Sequence, residues 1–83
     1  MKATRIKGYA ELDETIICYW RTEGGTWLLY YPRCGIGNLK NHTVVENPDN
    51  TITVTPSILI TAHNEGKATT IHGYITNGEW KEC

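Results

Sequence analysis

A serine directly after a proline, in "TPSILI" (Thr55 to Ile60), and a histidine directly before a glycine, in "TIHGYIT" (Thr70 to Thr76), are the polar groups of this 83-residue chain best suited to chemistry. A hydroxyl is a poor nucleophile until a neighbouring imidazole accepts its proton, so Ser57 and His72 brought together would form a nucleophile and general-base pair. No carboxylate stands out as the orienting third member. Asp13 and Asp49 are the only aspartates, and both fall in loop-like sequence. The plainer alternative has Ser57 bonding local backbone after Pro56 and His72 as a surface strand residue.

The three cysteines, Cys18, Cys34 and Cys83, are an odd number and widely spaced, which is not a disulfide framework; reduced thiols are expected. Cys34 followed by Gly35 invites a zinc reading, because zinc ribbons place Cys-x-x-Cys before a glycine, but the partner position is Tyr31. Cys18, His42, His63, His72 and Cys83 show no ligand spacing either. Neither a metal nor any other cofactor is expected. The glycosylation sequon Asn41-His42-Thr43 has no meaning without a route to the secretory pathway.

The elements that must position Ser57 and His72 are strands. No window shows sustained apolar spacing of three and four residues, while Thr, Ile, Val, Tyr and Trp are abundant and glycines fall at turn-like positions. Thr15 to Arg21 and Thr26 to Pro32 form a first hairpin across "TEGG", with Gly24 and Gly25 supplying positive φ angles. "HTVVE" and "TITVT" form a second across "NPDN", where Pro48 presets a turn and the Asp and Asn side chains bond back to the backbone. "TTIHGYIT" and "EWKEC" form a third across Asn77-Gly78, the pair best suited to a type I′ turn. Cys34 to Asn41 and Ala62 to Ala68 lack alternation and read as loops. The expected fold is all-β: one domain over residues 1–83, a small antiparallel sandwich or open barrel built from three hairpins.

Alternation sharpens the placement of the candidate pair. Ile52 and Val54 share one face and Thr51, Thr53 and Thr55 the other. Pro56 cannot donate to the ladder, so a bend or bulge is expected at Thr55 to Ser57. Ile71, Gly73 and Ile75 face the core, which leaves His72, Tyr74 and Thr76 on the opposite face. Gly73 marks a close approach by another backbone or a ligand.

Five Tyr and three Trp with no Phe are amphipathic rings of the kind common in binding faces, and Tyr19, Trp20, Trp27, Tyr30 and Tyr31 crowd the first hairpin. Two readings stand. Trp20 and Trp27 are core with tyrosines on its rim, or the group is an exposed patch that stacks a planar ligand or packs on a protein. Nine acidic against eight basic residues give a net charge of −1 with no concentrated basic footprint, which disfavours nucleic acid and anionic membranes as partners. No stretch approaches a membrane span, and the N-terminal residues lack a signal-peptide h-region. A soluble cytoplasmic protein is expected.

The C-terminal half, "TITVTPSILI" and then "TIHGYITNGEW", resembles a family of small bacterial and phage-encoded domains of largely unassigned function. Its members carry a Pro-Ser-aliphatic strand followed by a His-(Ser or Gly)-aromatic-aliphatic-x-(Asp or Asn)-Gly hairpin. Pro56, Ser57, Ile58 and Leu59 match the first motif, and His72, Gly73, Tyr74, Ile75, Asn77 and Gly78 the second. "YPRCG" is similar to the family's upstream Cys-Pro-x-Cys-Gly stretch with Tyr31 in place of the first cysteine, and Thr55 stands where relatives often have histidine. The resemblance covers roughly residues 27 to 82. It implies kinship with apparent serine peptidases encoded beside bacterial ubiquitin-like conjugation genes, with Ser57 as nucleophile and His72 as base, and with phage accessory proteins acting against host processes.

Two functions follow as expectations. The favoured one is a small phage-type binding module, in a bacterial cytoplasm, that inhibits a host protein or sequesters a small ligand in counter-defence. It would use Thr55, Ser57, His72, Tyr74, Tyr31 and Trp20, and a homodimer would enlarge its small core. The alternative is a peptidase-like hydrolase in which His72 deprotonates Ser57.

Overall fold

The computed structural model describes the backbone of residues 1–83 and every side chain but that of residue 64. Eight strands form two four-stranded sheets. The first sheet holds β1 (Ala3–Arg5), β2 (Ile17–Arg21), β3 (Trp27–Tyr31) and β4 (Gly35–Asn38), in that spatial order. The second holds β5 (Thr43–Glu46), β6 (Ile52–Asn64), β7 (Lys67–Thr76) and β8 (Glu79–Glu82), also in chain order. A 3-10 turn at Tyr9–Glu11 interrupts the β1–β2 connection.

Period-two alternation builds one core from both sheets. Ile17, Tyr19, Trp27, Leu29 and Tyr31 project from the first, and Ile52, Val54, Ile58, Ile60, Ile75 and Trp80 from the second. The all-β sandwich is thus as the pattern predicts, and β2–β3, β5–β6 and β7–β8 are the three expected hairpins. Asn77 and Gly78 both take positive φ, 50° and 77°, as the type I′ turn requires. In the 47–50 turn, the Asp49 carboxylate accepts from Thr51 Oγ1 at 2.5 Å and Thr51 N at 3.2 Å. These two donors hold its pKa below the usual carboxylate value.

Four details depart from the expectation. Cys34 to Asn41 is no loop, because Gly35–Asn38 pairs with β3 as β4. Ala62 to Ala68 is no loop either: β6 and β7 continue to Asn64 and from Lys67, and turn at Glu65 (φ 51°) and Gly66 (φ 78°). In the "TEGG" turn only Gly25 has positive φ. Finally, β1 runs parallel to β2, so the sheet is not wholly antiparallel. A parallel pair needs a crossover, and residues 6–16 provide it over the outer face: Tyr30 Oη donates to the Glu14 carbonyl at 3.1 Å, and Cys18 Sγ lies 3.6 Å from the Asp13 carbonyl.

The two seams between the sheets differ. On one side the N-terminal residues stitch them together. Lys2 bridges Glu79, Trp80 N donates to Met1 O at 2.7 Å, and Ala3 N donates to Gly78 O at 2.9 Å. On the other side, β4 is the last strand of its sheet, and β5 covers β6 only from Ile52 to Thr55. The sandwich is therefore an open barrel, laced at β1–β8 and open where β4 faces the distal half of β6.

Candidate functional site

The kink that Pro56 predicts is present. The Thr55–Pro56 peptide is cis, and the β6–β7 register passes from Val54↔Ile75 directly to Ile58↔Gly73. Thr55, Pro56 and Ser57 on β6 thus lie opposite Tyr74 alone on β7. Two extra residues preserve the alternation: Ile52 and Val54 before the bulge and Ile58 and Ile60 after it all face the core. Ser57 is left on the outer face, diagonal to His72, which itself pairs with Leu59.

There His72 Nε2 lies 2.8 Å from Ser57 Oγ. The proposed nucleophile and base are therefore in hydrogen-bond contact, on an exposed sheet face. Thr55 and Tyr74 are exposed on that same stretch. No carboxylate hydrogen-bonds His72 among the described residues. Leu59, 63% exposed, is the large apolar side chain beside the pair.

Tyr31 and Trp20 do not join this face. Trp20 is 4% exposed, on the side of the first sheet that carries Cys18 and the 6–16 crossover. Tyr31 is in the core, its ring centroid 5.3 Å from that of Trp80 and its hydroxyl donating to Glu82 Oε1 at 3.2 Å. Burial, together with the adjacent Glu82 carboxylate, raises the Tyr31 pKa above the ordinary phenol value. Tyr19 and Trp27 are buried as well, so the exposed aromatic patch is replaced by a core that takes the rings of both β2 faces. The reason is the crossover, which lies over the outer face of the first sheet and covers side chains there that hairpins alone would leave exposed.

His42 was not singled out by its sequence context, yet it organises the back of the site. Its Nε2 lies 3.0 Å from the Ser57 carbonyl oxygen. Because a carbonyl only accepts, Nε2 carries the proton of this contact, and in that tautomer Nδ1 is the acceptor. Nδ1 is buried without a hydrogen-bond partner among the described residues. His42 lines the cleft in the open seam, together with Leu29, Cys34, Ile36, Leu39, Ile58, Leu59 and Ile60. That cleft has a volume of about 280 Å³, the small end of the range for ligand pockets.

Cys34 in the cleft wall is half-buried, and burial pushes its thiol pKa up, which makes it a poor nucleophile. All three cysteines are free. No group of three His, Cys, Asp or Glu side chains suited to a metal ion occurs among the described residues, and no helix is long and apolar enough to cross a membrane. No family model matches the chain, nor does any curated protein or solved structure.

Proposed function

We propose that the chain is a binding module of the phage accessory kind, acting in a bacterial cytoplasm on a host protein, with the cleft between β4 and β6 as its receptor surface. The observation that carries this reading is the open seam: aliphatic side chains from both sheets, Leu29 and Ile36 from one and Ile58 and Ile60 from the other, stand among polar groups beside one buried acceptor, His42 Nδ1, that has no partner among the described residues. An occupant that places aliphatic side chains between Ile36 and Ile58 and an N–H or O–H donor at His42 removes apolar surface from water and satisfies that acceptor together. A short extended segment of a protein has both features, and the cleft volume suits one or two of its side chains. Small-ligand sequestration is the other form of the same reading.

The test is selection of binders from a displayed library of extended peptides, followed by Ile36→Glu. Ile36 is 45% exposed on an edge strand, so the charge leaves the fold within about 0.5 kcal/mol. Desolvating it against an apolar ligand weakens binding by about tenfold or more. Peptides that bind Ile36→Glu as tightly as the parent would exclude the cleft.

A Ser/His hydrolase with Ser57 as nucleophile and His72 as base is a second reading, favoured by the 2.8 Å contact. It ranks lower because the pair lies on an open face without an orienting carboxylate. Removal of a nucleophile lowers turnover by orders of magnitude. Fluorophosphonate labelling that vanishes in Ser57→Ala supports this reading; labelling that survives ends it.

A further inference from the structure

The distal half of β6 is an open strand edge without the usual protection. From Ile58 onward its ladder runs on the β7 side alone, since β5 ends its pairing at Thr55. Edge strands are normally blunted by lysine, proline, a bulge or a covering segment. Ile58 to His63 contain no Lys, Glu, Asp, Arg or Pro, and the bulge lies before them. Beyond Ile60 the β6–β7 ribbon extends as two exposed strands, and a two-stranded ribbon is marginal in water without further pairing.

We infer that a second copy of this chain completes the edge, β6 pairing antiparallel with its symmetry mate about a two-fold axis. An isologous contact brings the same segment, free of Lys, Arg, Asp and Glu, to both sides, so no such charges oppose each other, and the two match in length by construction. Alternation then restricts the register. Directly opposed residues in an antiparallel pair share a face, so outward-facing Leu59, Thr61 and His63 must oppose outward-facing residues, and Ile60 and Ala62 must oppose residues of the inward-facing set. The register that pairs all of Leu59 to His63 puts Thr61 against Thr61 of the second copy on the axis. Leu59, open to solvent in the single chain, then packs on His63 of the second copy.

The same register has a consequence for the site. It brings the 65–66 turn of the second copy, with the exposed Glu65, alongside Ser57. A carboxylate thereby approaches the exposed Ser57–His72 pair, to which none is hydrogen-bonded among the described residues. The two open seams become neighbours across the axis. Leu59, Ile60 and Thr61 also line the cleft, so a second copy and a cleft ligand compete for this edge, and the test is made on the chain alone, without a cleft ligand.

Thr61 provides that test. It is exposed at the cleft margin, and its side chain hydrogen-bonds Thr70 Oγ1 at 3.3 Å, so lysine or glutamate is tolerated by the single chain. The intact chain should sediment with a mass near twice its 9.4 kDa, in a concentration-dependent way. In Thr61→Lys alone and in Thr61→Glu alone, two like charges meet on the axis and self-association weakens by about tenfold or more. Mixing the two variants restores the dimer, because opposite charges now face each other. A wild-type chain that is monomeric throughout, a Thr61→Lys dimer as tight as the parent, or no recovery on mixing would each overturn the inference. So would a monomer that takes up an extended peptide on this edge instead.

Discussion

Trp80→Ala is expected to lower the unfolding free energy by about 4 kcal/mol, the range for removing a buried indole that leaves an incompletely filled cavity. A chain of 83 residues holds a net stability of roughly 4–12 kcal/mol, so one substitution removes a large share of it. Trp80 is the largest fully buried side chain, at 1% exposure. It comes from β8, an edge strand of four residues, yet it packs on Tyr31 of the opposite sheet, 5.3 Å between ring centroids. Its backbone meanwhile takes part in the N-terminal stitching through Met1. One residue therefore fastens both the layers and the closed seam. Urea denaturation followed by Trp20 and Trp27 fluorescence measures the loss. A change below about 1.5 kcal/mol would mean that the seam is not held in this way.

The legible parts of the fold were those with a buried face. Where β6 and β7 turn alternate residues into the core, the sequence alternates too; β2 and β3 are marked instead by near-continuous apolar and aromatic runs, and the Gly25, Asn50 and Asn77-Gly78 turns punctuate the strands. The parts that escaped detection lack that asymmetry. β4 is two glycines, an isoleucine and an asparagine at a sheet edge, with only half-buried residues facing inward, so nothing in its composition marks a strand. Among the described residues of the 61–70 ribbon all but the half-buried Ala62 are exposed, which erases alternation; the Glu65-Gly66 turn was its remaining signal. The parallel β1 is three residues long and gains its place from the 6–16 crossover, a tertiary effect.

The candidate pair was legible for a related reason. Pro56 declares a break in the ladder, and the alternation on either side fixes which face Ser57 and His72 occupy. His42 could not be found that way. Its contact with the Ser57 carbonyl depends on where the 39–42 connection crosses between the sheets, and no local pattern encodes that crossing. Of the two readings of the first-hairpin aromatics, the one with Trp20 and Trp27 buried is the one found; the sequence left the choice open because the crossover that lies on the Trp20 face reads as polar loop.

Gly73→Ala should cost about 3 kcal/mol, the upper part of the range for overpacking a filled core. At a compatible site this substitution stabilises by about 0.4–1 kcal/mol through the unfolded chain, and the Gly73 backbone lies outside the left-handed region, so that gain is available. Sterics decide against it. An added Cβ would stand 2.5 Å from the Lys81 carbonyl oxygen and 2.6 Å from Trp80 Cζ2, closer than such atoms approach. The indole could shift only into Tyr31, and the carbonyl only by parting β8 from β7. A melting temperature lower by about 12–24 °C follows for a domain of this size. Because two separate groups oppose the methyl, Trp80→Leu should relieve part of the effect and leave the backbone clash, giving a coupling of about 1 kcal/mol or more in a double-mutant cycle. Full additivity would show that the indole is not what requires glycine here. The site is affected too: His72 is the next residue on β7, and its carbonyl accepts from Cys83 N at the end of the same β7–β8 ladder.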